Sequence, residues 1–387
     1  MSWQPVPDPE RVRRWRQARR VLAVRLDNLG DVVMTTPAIA ALRQGLSPGA
    51  RVTLLCSRAT SHALPHLPDV DDAIVYDAPW VKGAPGARRP QRHDVAFLQQ
   101  LAAGAFDAAV IFTVYTQSAL PAALMCRLAG IPLRLAHSRE NPYDLLTDWV
   151  PDPEPASGIR HEVERQLALV RQVGFDTDDP RLRFQVRPLD AFSLDERLNG
   201  VGIDAARPLV VVHPGATAAS RRYPADRFGL AAQGIAEATG ATIVFTGSAA
   251  EEPLVREAQA QMRASSVSLA GRLSLGEFAV LIQRARLLVS NNTGPVHLAA
   301  ALGTPVVDLY ALTNPQHTPW QVPARVLHHD VPCRNCLKSV CPEGHHDCLR
   351  LVEPSQVVQA ALELMDAPSR AGDPAHAPNA TFLPAYA

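Results

Sequence analysis

Twice along this chain, short apolar segments rich in valine and isoleucine alternate with longer segments of helical period, and that rhythm leaves few folds open. The first run holds "VLAVRL", "RVTLLCS", "DAIVYDA", "FDAAVIFT" and "LRLAHS", with helical periodicity over residues 32–46 and 119–129. The second starts at "PLVVVHPGA" and continues through "ATIVFTGS", "SVSLAG", "RLLVSNN" and "PVVDLYA". Helices are expected between these at 226–239, near 251–262, at 275–285 and at 295–302. Short continuous apolar runs are the mark of strands buried on both faces. Strand, helix, strand in succession requires parallel pairing with crossover helices. The fold class is therefore α/β, with two Rossmann-like domains in series, expected to face each other across a cleft. Ligands of such sheets bind beyond the carboxyl ends of the strands.

With 387 residues, the chain is too long for one ordinary core. The expected division is a basic lead-in over 1–20, a first domain over 21–190, a second over 200–352, a helix over 353–366 and a disordered tail over 367–387. The segment "DWVPDPEPASG" reads as linker or excursion, 161–173 as a helix, and the helix after 353 as one that returns to the first domain. A formal net charge of +0 gives no field for a polyanion, and 5% aromatic residues argue against stacking on many bases, so nucleic acid is excluded as a partner. No apolar run reaches membrane-spanning length, and the N-terminus lacks the apolar core of a secretory signal, which points to the cytoplasm. The basic stretch "PERVRRWRQARR" reads as a solvated helix with Val12 and Trp15 on one side. Its sharper alternative is a peripheral contact with anionic headgroups at the inner membrane.

Two strand-to-helix turns carry acids or phosphate-binding features. In "VRLDNLGDVVMTTPAIAALR" the turn contains Gly30 and Asp31, followed by Thr35, Thr36 and Pro37. As structure alone, Asp31 is a good residue for a helix start. In "VSNNTGPVHLAAALGTP" a strand runs through Asn292 into Thr293 and Gly294 at a helix start, with His297 one turn on. Free N–H groups and the helix dipole there favour phosphate. The loop "HPGATAASRRYP" offers small residues, Thr217, and Arg221, whose guanidinium can grip phosphate oxygens. Glu251, in "FTGSAAEE", can accept from a ribose diol or simply charge a helix start. Neither strand-exit turn contains the Gly-x-Gly-x-x-Gly dinucleotide fingerprint, and no P-loop signature occurs.

In this order the three motifs "VRLDNLGDVVMTTPAIAALR", "VVVHPGATAASRRYPADRF" and "SLAGRLSLGEFAVLIQRARLLVSNNTGPVHLAAALGTPVVDLY" resemble glycosyltransferase family 9, the ADP-heptose:lipopolysaccharide heptosyltransferases, over roughly residues 21–365. The resemblance implies the GT-B fold and transfer of a heptose from a nucleotide-diphosphate sugar to a lipid-linked glycan at the inner membrane face. It implies Asp31 as catalytic base, with Gly30, Thr35 and Thr36 on the acceptor side. It places the donor on Thr217, Arg221, Glu251, Asn292, Thr293, Gly294 and His297. The family often has Lys at the Arg221 position, Trp at Tyr223 and Asp at Asn292. The expected reaction inverts the anomeric centre and requires no metal, because Arg221 and the helix start can carry the diphosphate. A sugar-nucleotide epimerase and a non-catalytic sugar-nucleotide-binding protein are the alternatives. Cys333, Cys336, Cys341 and Cys348, in "CRNCLKSVCPEGHHDC", have a spacing that suits a structural zinc or iron–sulfur site; unliganded thiols folding a loop are the other reading.

Overall fold

The computed structural model describes residues 8–81, 92–201, 203 and 207–367. The tail expected to be disordered lies, apart from Ala367, outside these residues. The chain divides into two units, Met1–Arg183 and Phe184–Ala387.

The first unit is built on strands β1 (Arg20–Val24), β2 (Arg51–Cys56), β3 (Asp72–Val75), β4 (Ala108–Ile111), β5 (Leu133–Ser138) and β6 (Asp148–Pro151). They form one six-stranded sheet in the order β3-β2-β1-β4-β5-β6, and every pairing is parallel. Central β1 is buried from Val21 to Val24, as a parallel strand covered on both faces must be. Five helices accompany the sheet: α1 (Pro9–Arg16), α2 (Leu29–Gly45), α3 (Arg92–Ala103), α4 (Leu120–Leu128) and α5 (Glu162–Arg171). The "DWVP" stretch, expected as linker, is the edge strand β6. It is four residues long and ends in proline, which only an edge tolerates. Nor is α1 merely solvated: Trp15 is fully buried, and Arg11 pairs with Asp148 at 2.6 Å.

The second unit repeats the plan with β7 (Leu209–His213), β8 (Thr242–Phe245), β9 (Ser266–Ser268), β10 (Leu287–Asn291), β11 (Val306–Leu309) and β12 (Ala324–Leu327). Its order is β12-β11-β10-β7-β8-β9, again parallel throughout. Its helices are α6 (Pro188–Asn199), α7 (Ala225–Thr239), α8 (Glu252–Gln259), α9 (Leu275–Arg284), α10 (Gly294–Leu302), α11 (Asp347–Arg350) and α12 (Pro354–Asp366). Helix α12 packs within the second unit. Val357, Ala360, Ala361 and Leu364 are buried in the second unit's own core with Phe228 and Ile235 of α7, because that face is apolar and α7 offers it a matching one. No helix among the described residues is long and apolar enough to cross a membrane.

Glu277 ties α6 to α9. It accepts from Ser193 Oγ at 2.5 Å and Arg197 Nε at 2.6 Å, and its other oxygen accepts from the Ser274 N–H at 2.7 Å. Burial pushes this carboxyl up, but the hydrogen bonds from Ser193, Arg197 and Ser274 outweigh it and hold it at about 2. A depressed carboxylate stabilises the fold above its unfolded value and ceases to as pH falls toward the folded one. Glu277→Gln should therefore cost about 1–3 kcal/mol at neutral pH, and the difference from wild type should vanish between pH 5 and roughly 2, as read by denaturant unfolding.

Candidate functional site

In each sheet the chain leaves two neighbouring central strands in opposite directions, β1 and β4 in the first unit and β7 and β10 in the second. A crevice opens at the carboxyl ends of such a pair. Both crevices are lined by the motifs singled out from sequence.

In the first unit, Arg25 follows β1 and is completely buried. Each nitrogen of its guanidinium lies near a different carboxylate: Nη1 donates to Glu162 Oε1 at 2.8 Å, while Nε, 3.0 Å from Asp27 Oδ2, and Nη2, 3.2 Å from Asp31 Oδ1, make ion pairs without hydrogen-bond geometry. Gln117, beyond β4, donates to Asp27 Oδ1 at 2.6 Å and so bridges the crevice. Gln166 of α5 donates to Glu162 Oε1 at 2.6 Å. Arg165, on the same helix, is occupied by Asp152 (2.9 and 3.0 Å) and by Glu154. Burial pushes the carboxyls of Asp27 and Glu162 up, with Arg25 acting against it. Among Arg25's three carboxylates, Asp31 has the most exposed side chain, at 13% against 8% for Asp27 and none for Glu162. Its Oδ2 accepts the Asn28 N–H at 3.2 Å, so it starts α2 as a capping acid should.

The residues that follow Asp31 have a structural task. Pro37 sits inside α2 and has no N–H for the Val33 carbonyl. Thr36 Oγ donates to that carbonyl at 2.6 Å instead, and accepts the Arg183 N–H at 2.8 Å. Thr35 Oγ donates to the Asp31 carbonyl at 2.8 Å. Both threonines are buried, and their hydroxyls bond to the helix backbone. Gly30 is buried in the first turn of the same helix.

In the second unit, Asn291 ends β10 and closes the crevice. Its Nδ2 donates to the Pro214 carbonyl at 2.8 Å, and its Oδ1 accepts the Tyr223 N–H at 2.9 Å. The whole "HPGATAASRRYP" loop is thereby pinned at both ends. Within it Arg222 Nε donates to the Ala216 carbonyl at 2.7 Å. No hydrogen bond or ion pair is seen for the Arg221 side chain among the described residues, so of the two arginines this one is available to an anion. Thr217 is exposed beside it. Thr293 caps α10 in extended conformation and Gly294 opens the helix. The next residue, Pro295, has no N–H, which leaves a small set of donors at this end. His297 is buried one turn on, its ring 6.3 Å from that of His317.

Asn292 turns inward. Its Nδ2 donates to Asp308 Oδ2 at 2.8 Å and to the His317 carbonyl at 2.7 Å. Asp308 is wholly buried, and burial raises its carboxyl well above the ordinary range despite Asn292. Glu251 Oε2 accepts from Ser248 N and Oγ at 2.8 and 2.9 Å. Its carboxylate also fills the space beside Gly215, where a Cβ would lie 2.2 Å from Glu251 Oε1. Next to it, a pocket of about 200 Å³ is lined by His213, Thr246, Ser248, Leu273, Leu275 and Phe278. Enclosure lowers the His213 imidazole to about 4, which leaves it neutral at pH 7.

The cysteine loop supports this unit. Ser220, next to Arg221, donates through Oγ to the Lys338 carbonyl at 2.7 Å and through its N–H to the Ser339 carbonyl at 3.1 Å. Cys333 Sγ lies 3.8 Å from His345 Nε2, but the described residues bring together no set of three or more His, Cys, Asp or Glu side chains that could hold a metal ion. None of the four cysteines is in a disulfide, and the loop that carries them is fastened to the Arg221 turn through Ser220.

The model of glycosyltransferase family 9 (heptosyltransferase) matches residues 95–346. The chain belongs to this family. The matched stretch contains Arg221, Thr293, Gly294 and His297, and begins after Asp31. Like its family, the chain is similar over nearly its full length to lipopolysaccharide heptosyltransferase 2 of Escherichia coli K12, being 28% identical over 360 residues that cover 89% of this chain and 98% of that one. It is 28% identical to lipopolysaccharide heptosyltransferase 1 of Pseudomonas aeruginosa over 327 residues, 83% of this chain and 87% of that one. Among solved structures, the E. coli ADP-heptose lipopolysaccharide heptosyltransferase II superposes with a TM-score of 0.69 at 25% identity, over 89% of this chain and 98% of that one. A family 9 glycosyltransferase from Veillonella parvula gives 0.74 at 22% identity, over 90% and 98%. The α/β, GT-B expectation holds.

Sequence reasoning missed Arg25, Asp27, Glu162, Gln117 and Asn291. The signal for the first was present: an arginine directly after "VLAV", in register with a buried strand, needs carboxylates around it. The partners Glu162 and Gln117 lie far away in sequence and carried no local mark. Asn291→Ala should remove the tie between the β7 and β10 exits. The expected loss is about 1–3 kcal/mol of stability, seen as a lowered Tm, with weaker ADP binding by calorimetry.

Proposed function

We propose that this chain is an inverting heptosyltransferase that moves a heptose from ADP-heptose to a lipopolysaccharide-core acceptor. The observation that carries the reading is the second unit's crevice, where the unengaged Arg221 and the α10 start flank one strand junction beside a nucleoside-sized pocket. The printed names of the relatives supply the sugar and acceptor class. Membership of a glycosyltransferase family favours transfer over epimerisation or mere binding.

In this mechanism the pocket beside His213 takes the base, and Glu251 accepts from the ribose diol. Thr217 adds a hydroxyl to the sugar-nucleotide side. Arg221 and the N–H groups at Thr293 and Gly294 take the diphosphate, with His297 supporting that turn from within. Asn292 acts from behind, since its amide is spent on Asp308 and the His317 carbonyl. Asp31 accepts the proton of the acceptor hydroxyl. The hydroxyl oxygen attacks the anomeric carbon from the face opposite ADP. The bond from that carbon to the β-phosphate oxygen breaks, and its electron pair leaves with ADP, so the configuration inverts. Arg221 and the helix start stabilise the charge that grows on the diphosphate. They supply the positive potential that a divalent ion would otherwise provide, and the chemistry needs no metal. Work at the inner membrane face, on an acceptor carried by lipid, follows from this acceptor.

ADP release from ADP-heptose in the presence of heptose-free lipopolysaccharide tests the proposal. Release that needs no acceptor would instead mark hydrolysis or epimerisation. Chelator should leave turnover in place, whereas complete loss restored by Mg²⁺ or Mn²⁺ would overturn the metal-independent mechanism.

Asp31→Asn should abolish most turnover and keep ADP affinity; near-normal transfer would reduce Asp31 to a helix cap. Arg221→Ala should weaken donor binding and slow transfer by about 1–3 kcal/mol, the scale of a lost charge-assisted hydrogen bond. Donor KM and kcat, measured separately, check this.

A further inference from the structure

We infer that Arg25 is the positioning residue for Asp31, and that Glu162 competes with Asp31 for it. The inference rests on Asp31 being the base, and it concerns how this chain builds that base.

The geometry is specific. A guanidinium is a rigid planar fork, and here its three nitrogens reach three carboxylates at 2.8–3.2 Å. These carboxylates come from the β1 exit, the start of α2 and the start of α5. Asp31 is held at two points, Oδ1 by Arg25 Nη2 and Oδ2 by the Asn28 N–H, both at 3.2 Å. The first contact is an ion pair and the second a hydrogen bond, one on each oxygen, and together they orient the carboxylate. An ammonium in place of the guanidinium would be a point charge and would not set that orientation.

The energetics point the same way. Burying a cation among acids is costly, and an apolar cluster of equal volume is often as stable or more so. Stability alone thus gives little reason for the cluster, whereas holding Asp31 gives it a use. The charged and polar groups facing Asp31 include Arg25 on the β1 exit, Asp27 and Asn28 in the turn, and Glu162 on α5. Behind Glu162 stand Gln166 and Arg165, the latter engaged by Asp152 and Glu154. Gln117 holds Asp27 from the β4 exit. Burial pushes the Glu162 and Asp27 carboxyls up, and Arg25 acts against it at both, so its charge is shared among the three acids.

The test uses the full chain, with ADP-heptose and heptose-free lipopolysaccharide as probes. Glu162→Gln keeps shape and removes the competitor. It should move the acid-side half-maximum of the pH–kcat profile down by about half a pH unit. Arg25→Lys keeps the charge but loses the fork. It should lower kcat about tenfold or more and move that half-maximum up, with ADP affinity and donor KM within twofold of wild type. On an Asp31→Asn background, Arg25→Lys should cost nothing further in rate. If both single variants fold and leave kcat and its pH profile unchanged while Asp31→Asn is inactive, the positioning role is wrong and the base stands. If Asp31→Asn keeps its turnover, the base reading itself fails and this inference falls with it. Should Arg25→Lys not fold, an unmoved profile in Glu162→Gln alone overturns the inference.

Discussion

Both halves of this molecule depend on one constraint: where neighbouring parallel strands send their chains apart, the sheet leaves a gap that side chains must bridge. The gap exposes backbone groups and strand ends that burial would otherwise leave unsatisfied. The first unit bridges it with Gln117 on Asp27 at 2.6 Å, and the second with Asn291 on Pro214 and Tyr223 at 2.8 and 2.9 Å. In each case an amide spans the junction, since an amide can donate and accept at once. The groups read as functional, Asp31 in one unit and Arg221 and Gly294 in the other, sit on the turns so secured.

The two gaps differ in charge. Around Arg25 the first unit gathers acids and one deeply buried cation, an arrangement suited to holding a carboxylate still. The second unit offers helix-start N–H groups and an arginine without a partner among the described residues, an arrangement suited to an anion that comes and goes. Its buried acid, Asp308, is kept toward the neutral form by burial and accepts from the Asn292 amide at 2.8 Å. The carboxyl expected at position 292 from the family resemblance thus has a counterpart behind the turn, where it orders the amide and adds little negative charge near a diphosphate.

Much of this was legible because parallel strands buried on both faces are written as continuous apolar runs. The ten strands named from such runs all form. Those missed, β6 and β12, are edge strands with a proline in or beside them, and their sequences "DWVP" and "ARVL" lack a continuous apolar run. Helix α12 was recognised by its apolar period, but a period does not say which neighbour it will meet. Thr35, Thr36 and Pro37 show a local pattern with two readings: the threonines could line a site or mend the hydrogen-bond ladder that the proline interrupts. The position of the Val33 carbonyl shows that Thr36 does mend the ladder. The Arg25 cluster was hidden for another reason. Its members are spread from Arg25 to Glu162, and long-range electrostatic partnership leaves no trace in spacing.

The close fit of Glu251 against Gly215 has a consequence for sequence change. A methyl group at 215 would meet the carboxylate at 2.2–2.5 Å, closer than side-chain atoms ever rest. A side chain at 215 therefore requires the Glu251 carboxylate, the far end of a flexible chain, to swing aside, and the swing would take it from the Ser248 N–H and hydroxyl that it now accepts from.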